Sequence, residues 1–182
     1  MTWSCISYWI EHNPGLASWV QAIGAILAII AALLVSYQQI KNQSLQGVEQ
    51  RKQKSAAFRA IAKHAVDTSN DFAEFVDHSV VYFIFKKNWD LMYRHNLESS
   101  IHSLELLPVH ELETAGLVVA HSGLLASIKS LLSAVELCMA KDTGGDTYSE
   151  IKIESNIRAQ HMNFYWSNYE KSYEAMRKGK AQ

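Results

Sequence analysis

Between His64 and His78 the chain reads HAVDTSNDFAEFVDH, a stretch dense in histidine and carboxylate side chains that can ligate a metal ion. His64, Asp67, Asp71, Glu74 and His78 recur at spacings of 3, 4, 3 and 4, which puts them on one face of an α-helix. Imidazole and carboxylate together suit a divalent transition metal. A later segment repeats the chemistry with His95, Glu98, His102 and Glu105. Di-metal helical bundles carry Glu-x-x-His on paired helices and further glutamates on the others. Here the second segment runs His-x-x-Glu, and no other segment supplies a matching glutamate pair. A charged stripe opposite an apolar one is what any solvated helix shows, and the sequence favours that reading; no cofactor is expected.

A second candidate overlaps the first. The stretch RAIAKH, Arg59 to His64, matches the R-x4-H pattern and so resembles the HEPN ribonucleases. That resemblance implies a small helical bundle in which Arg59 and His64, paired across two subunits, act on an RNA phosphodiester. The family carries its motif late in the bundle, whereas here it falls in the first helix after the polar stalk. RAQH at Arg158 lies in the late helix but has a different spacing. No phosphate-binding glycine loop and no nucleophile elbow is visible. A net charge of -1 gives no general attraction to nucleic acid, so nucleic acid is not an expected partner.

The elements that would position these residues follow from an uneven charge distribution. Residues 1–40 hold no Lys or Arg and a single acidic residue, Glu11. From Trp19 to Tyr37 the clearly polar side chains are Gln21 and Ser36, each near an end. Nineteen helical residues rise ~28 Å, the thickness of a bilayer's hydrocarbon core. Apolar residues surround this helix on every side, and Trp19 and Tyr37 stand where interfacial aromatics are favoured. Asn13-Pro14 supplies a cap and a first-turn proline. A cleaved signal peptide is disfavoured because no basic residue precedes the run. The expectation is an extracytoplasmic N-terminus over 1–13, a transmembrane helix over 14–37, a polar helical stalk over 38–57 and a cytoplasmic helical domain over 58–182. Lys41, Arg51, Lys52, Lys54, Arg59 and Lys63 all follow the span, which puts the C-terminal part in the cytoplasm. Trp3, Ile6, Tyr8, Trp9 and Ile10 are expected along the outer interface. Cys5 and Cys138 then lie on opposite sides of the bilayer and do not bridge. Arg51 falls ~21 Å beyond Tyr37 in a helix, more than two Debye lengths from the lipid, so the cluster Arg51, Lys52, Lys54 and Arg59 is read as solvated.

Gly24, Ala28, Ala32 and Ser36 recur every four residues within the span. Such small-residue stripes let transmembrane helices approach closely, and with one span per chain the expected neighbour is a second copy. The stretch WVQAIGAILAIIAALL resembles the N-terminal anchor of uncharacterised bacterial single-pass membrane proteins. That likeness covers about thirty residues and implies a bacterial inner membrane without implying an activity.

The rest of the chain shows helical spacing and no sustained β-alternation. Phe58, Ile61, Ala65, Phe72, Val76 and Phe83 predict an amphipathic helix to about Lys87. Leu97, Ile101 and Leu104 mark a second over Asp90–Leu106, which Pro108 separates from the next. His110–Ala140 reads as the central core helix, not a second span, because His121, Lys129 and Glu136 interrupt it. KDTGGDTYSE, Lys141 to Glu150, reads as a loop. Ile151 to Lys178 closes the domain through Ile153, Ile157, Phe164 and Tyr165. The expected fold is all-α: one N-terminal transmembrane helix, a helical stalk and a cytoplasmic four-helix bundle. The expected function is a membrane-anchored, self-associating binding, signalling or effector module with the lipid bilayer, a second copy and a cytoplasmic protein as partners. A membrane-tethered HEPN-like ribonuclease and a passive membrane scaffold are the alternatives.

Overall fold

A computed structural model describes residues 14–78, 81–141 and 145–179. The N-terminal expectations, including the Asn13 cap, Cys5 and the interfacial aromatics, lie outside these residues. The described residues are helical almost throughout and contain no strand. We label the helices α1 (Pro14–His78), α2 (Tyr82–Asn88), α3 (Arg94–Glu105), α4 (Ala115–Lys141) and α5 (Gly145–Gly179). A π-helical turn, Trp89–Tyr93, joins α2 to α3, and a 3-10 turn, Val109–Glu111, precedes α4.

The chain divides into two compact units, Met1–Gln53 and Lys54–Gln182. The expected domain start at Phe58 lies just inside the second. In the first unit α1 begins at Pro14, as a first-turn proline allows. It continues through Gly47, a residue that costs about 1 kcal/mol in a helix relative to alanine but does not interrupt this one. Every side chain described from Ser18 to Gln46 is exposed.

The second unit surrounds one hydrophobic core. Ala62, Ala65, Phe72 and Val76 of α1 meet Phe85, Trp89, Leu97 and Leu104. Leu124, Ile128, Leu131 and Val135 of α4 and Ile151, Met162 and Tyr169 of α5 complete it. Polar rungs fix the directions. Arg59–Glu170, Asn70–Asn163 and Asp77–Lys152 tie α1 to α5 in antiparallel register. Arg94–Glu136 and Lys129–Glu105 do the same for α3 and α4. Gly123 of α4 meets the Tyr165 ring at its Cβ position, so α4 and α5 approach where no larger residue fits. Asn70 and Asn163 exchange two amide hydrogen bonds, at 3.1 and 3.0 Å.

Four expectations are corrected. The first amphipathic helix stops at His78 instead of Lys87, and the chain turns at Val81, whose backbone is extended (φ -58°, ψ 129°). Phe83 is consequently 73% exposed, while Phe85 is fully buried. The next helical run starts at Tyr82, not Asp90, and includes the π turn. Phe85, Trp89, Tyr93 and Leu97 are four apart, a spacing that drifts ~40° per step in an α-helix. The wider π turn takes up part of that drift and keeps all four rings and side chains against the core. The core helix begins at Ala115, not His110, because Thr114 caps it: Leu117 N–H donates to Thr114 Oγ1 at 3.3 Å. Finally, α5 starts at Gly145, inside the expected loop, and buries Ile151, Ser155, Met162 and Tyr169, leaving Ile153 and Phe164 exposed. Both sets have helical spacing, so the sequence alone admits either face.

An aromatic cluster fills one end of this core. Phe72 lies 5.4 Å from both Trp89 and Tyr93, and Phe75 stacks on Tyr93 at 4.5 Å. Tyr148 donates its hydroxyl hydrogen to the Val76 carbonyl at 2.8 Å, pinning the last turn of α1.

Candidate functional sites on helix α1

Two described helices are long and apolar enough to cross a membrane: the N-terminal one from Ser18 onward, and α4. They differ in burial. None of the most apolar window of the first is buried, against 33% of that of α4. Along Trp19–Tyr37 the side chains of Ile26, Leu27, Ile30, Leu33 and Leu34 are between 47% and 64% exposed. Water would have to hydrate all of them, at ~25 cal/mol per Å². In α4 the charges that interrupt the apolar run are compensated: Lys129 pairs with Glu105, and Glu136 with Arg94 at 3.0 Å. His121 is buried, with no hydrogen-bond partner at Nδ1 among the described residues, and burial pushes its pKa below the ordinary histidine value.

Gly24 has nothing within 4 Å of a Cβ built on it. With Ala28, Ala32 and Ser36 it forms an exposed strip of low relief on α1. No intramolecular neighbour among the described residues explains that strip.

Arg59 is held in a polar and aromatic clamp. Its Nε and Nη2 donate to Glu170 Oε1 and Oε2 at 2.7 and 2.9 Å, a two-pronged pair. The guanidinium carbon sits 5.8 Å from the Trp166 ring centroid and 5.5 Å from that of Tyr173, within cation–π range. The Glu170 hydrogen bonds raise the Arg59 pKa further. Beneath, Tyr169 is buried and its pKa is pushed up to about 12, first by burial. The arrangement clamps α1 to α5. Spacing alone could have flagged the partners, since Trp166, Glu170 and Tyr173 fall at helical intervals of 4 and 3, but nothing local ties them to Arg59. His64 is exposed and lies five residues on, ~140° around the helix from Arg59. Arg158 of the RAQH stretch pairs with Glu154 at 2.9 Å.

The proposed metal face is likewise dispersed. Lys63 holds Asp67 at 2.7 Å, and His78 Nδ1 lies 3.0 Å from the Glu74 carbonyl oxygen. Among the described residues no three His, Cys, Asp or Glu side chains converge to hold a metal ion. His95 meets Glu98 at 3.4 Å, Glu98 is also held by Arg94, and Glu105 by Lys129. What the fold does assemble is a groove of about 350 Å³ between α1 and the following helical run, lined by His64, Thr68, Asp71, Tyr93, Asn96 and Ser99 among others. It brings His64 and Asp71 together and leaves Asp67, Glu74 and His78 outside. Of the basic cluster, Lys54 is paired with Glu111 at 3.1 Å and Arg59 with Glu170, while Arg51 and Lys52 are exposed. Cys138 is buried, and burial raises its thiol pKa.

No family model matches this chain, and neither a curated protein nor a solved structure is detectably similar to it.

Proposed function

We propose that this chain is a single-pass protein of the bacterial inner membrane, with its N-terminus outside and residues 58–182 in the cytoplasm as an up-down-up-down four-helix bundle. It acts as a self-associating binding, signalling or effector module. The observation that carries the reading is that every residue of the apolar stretch from Trp19 to Tyr37 is exposed, over the length a bilayer requires. The basic residues that follow it, beginning with Lys41, support the orientation. Copies meet through Gly24, Ala28, Ala32 and Ser36. The ribonuclease alternative draws no support from Arg59, whose Nε and Nη2 are held by Glu170.

The test is the mass of the complex in mild detergent for wild type and Gly24→Leu. A Cβ at position 24 meets nothing within 4 Å among the described residues, so the substitution leaves the described protomer intact. A defined oligomer that Gly24→Leu dissociates supports the reading, and a monomer in both removes self-association. Protease added to sealed inner-membrane vesicles of known sidedness tests the orientation.

A further inference from the structure

The exposed face of α1 changes character without changing direction as it leaves the expected span. Beyond Ser36, Gln39, Gln43, Gln46, Gln50 and Gln53 follow at intervals of 3, 4, 3, 4 and 3, the spacing of a coiled-coil seam. At ~100° per residue they fall within about 120° of the helix circumference, and the same arc contains Gly24, Ala28, Ala32 and Ser36. Between Tyr37 and Gln53 the one other residue in that arc is Asn42, also an amide. The charged residues of this stretch, Lys41, Glu49, Arg51 and Lys52, all lie outside it. So do its larger aliphatic residues, Ile40, Leu45 and Val48, whose spacings of 5 and 3 define no seam. All five glutamines are exposed, and none of their side-chain amides has a hydrogen-bond partner among the described residues.

A single-pass chain meets its own copy in parallel, because both cross the membrane the same way. A parallel pair in register sets each residue of the seam against itself. Lysine, arginine or glutamate placed there would face a like charge. A carboxamide carries both donors and an acceptor, and is therefore its own complement. The exclusion of charge from this arc, and its occupation by amides alone, is the pattern that such a homotypic contact demands.

We propose that Gln39, Gln43, Gln46, Gln50 and Gln53 form a polar seam through which the stalk binds the stalk of a second copy of this chain, parallel and in register. The seam continues the Gly24 face of the span out of the lipid. It rests on the self-association reading above and deepens it: the span supplies close approach, and the amides fix register and exclude partners of other charge pattern. Polar seam residues set register and orientation at some cost in stability.

The experiment is a cysteine scan of the full chain in its native membrane, in a Cys5→Ser background that leaves Cys138 buried. Single cysteines replace Gln39, Gln43, Gln46 and Gln50 on the seam, and Lys41, Leu45, Val48 and Lys52 off it. Mild oxidation reports Cα separations below about 7 Å, so seam positions are expected to yield at least about fivefold more covalent dimer than the others. In parallel, Gln43→Lys with Gln50→Lys is expected to lower the mass in detergent, while Leu45→Lys with Val48→Lys leaves it unchanged. Cross-linking that peaks at Leu45 and Val48, or is uniform along the helix, overturns the seam while leaving self-association standing. A wild-type chain that is monomeric in detergent and forms no dimer at any position overturns both. An oligomer that survives Gln43→Lys/Gln50→Lys overturns the seam alone.

Discussion

Replacing Ile29 with arginine tests the membrane reading of α1 with a magnitude that can be worked out beforehand. The expected span exposes nine branched aliphatic side chains: Val20, Ile23, Ile26, Leu27, Ile29, Ile30, Leu33, Leu34 and Val35. At roughly -0.3 to -0.6 kcal/mol each, they favour insertion by about 4 kcal/mol in all. Ile29 is near the middle, where an arginine costs about 3 kcal/mol and the lost isoleucine about half of one more. Ile29→Arg therefore leaves insertion close to balance, and Ile26→Arg added to it disfavours insertion by about 3 kcal/mol. Since both isoleucines are more than half exposed, neither change opens a cavity or breaks a packed contact. The assay is extraction of membranes at alkaline pH followed by flotation. Wild type should float with lipid, Ile29→Arg should divide between lipid and supernatant, and the double variant should be released while keeping its helical circular dichroism. Ile40→Arg, past the aromatic Tyr37, should behave as wild type. A double variant that still floats would refute the assignment of the anchor to this helix and turn attention to α4, the other apolar helix of spanning length.

Three further outcomes are expected. Gly123→Ala drives a methyl into the Tyr165 ring and should cost about 1–3 kcal/mol, read as a lowered urea midpoint at unchanged slope. Arg59→Ala removes a partly exposed ion pair and two cation–π contacts, for about 1–2 kcal/mol in total. Arg59→Lys should recover only part of this, because an ammonium cannot span both Glu170 oxygens; any growth defect caused by overexpression should persist in both variants, and its loss in well-folded Arg59→Lys would revive a catalytic role. His121 is held neutral by burial, with its folded pKa depressed. The unfolded chain therefore binds the extra proton, and stability should be full above the ordinary histidine pKa and decline as pH falls below it towards the folded value. His121→Leu should remove that part of the slope in denaturant titrations between about pH 7 and 5.

Much of the outline is a property of the sequence, because the forces behind it act over one helical turn. An unbroken apolar run without charge, a first-turn Pro14 and the absence of any later proline before Pro108 are sufficient for a long helix that is apolar all round. The 3-4 spacing of Ala62, Ala65, Ser69, Phe72 and Val76 likewise sets the buried face of α1. Where α1 stops is a different matter. No glycine or proline lies between His78 and Tyr82 to mark the helix end; the new helix brings Phe85 back onto Phe72 and Phe75, a contact a continued helix would not allow. The phase of α5 was ambiguous for a related reason. Ile153, Ile157 and Phe164 make as good a stripe as Ile151, Met162 and Tyr169, and the contact of Gly123 with Tyr165 is a pairing across the fold that selects between them.

The candidate chemistry divides along the same line. Residue types and spacings placed His64, Asp67, Asp71, Glu74 and His78 on one helix, and Arg59 five residues before His64, but a helix face does not say what stands opposite. Tertiary packing set Glu170 against Arg59, whereas Lys63 and Asp67 pair four residues apart on α1 itself, a contact that helical spacing alone supplies. The Arg59–Glu170 pair ties α1 to α5, and the same packing leaves His64 and Asp71 sharing a groove. Charge pairing over sequence separations as large as 111 residues depends on which helices become neighbours, and that is decided by burying the whole core at once. The sequence by itself determined an apolar, spanning-length helix and the neutral amide face that continues it, since both are periodic along one element. Only the tertiary structure decided that Arg59 meets Glu170, Lys129 meets Glu105 and Lys152 meets Asp77, because these partners come from elements distant in the chain.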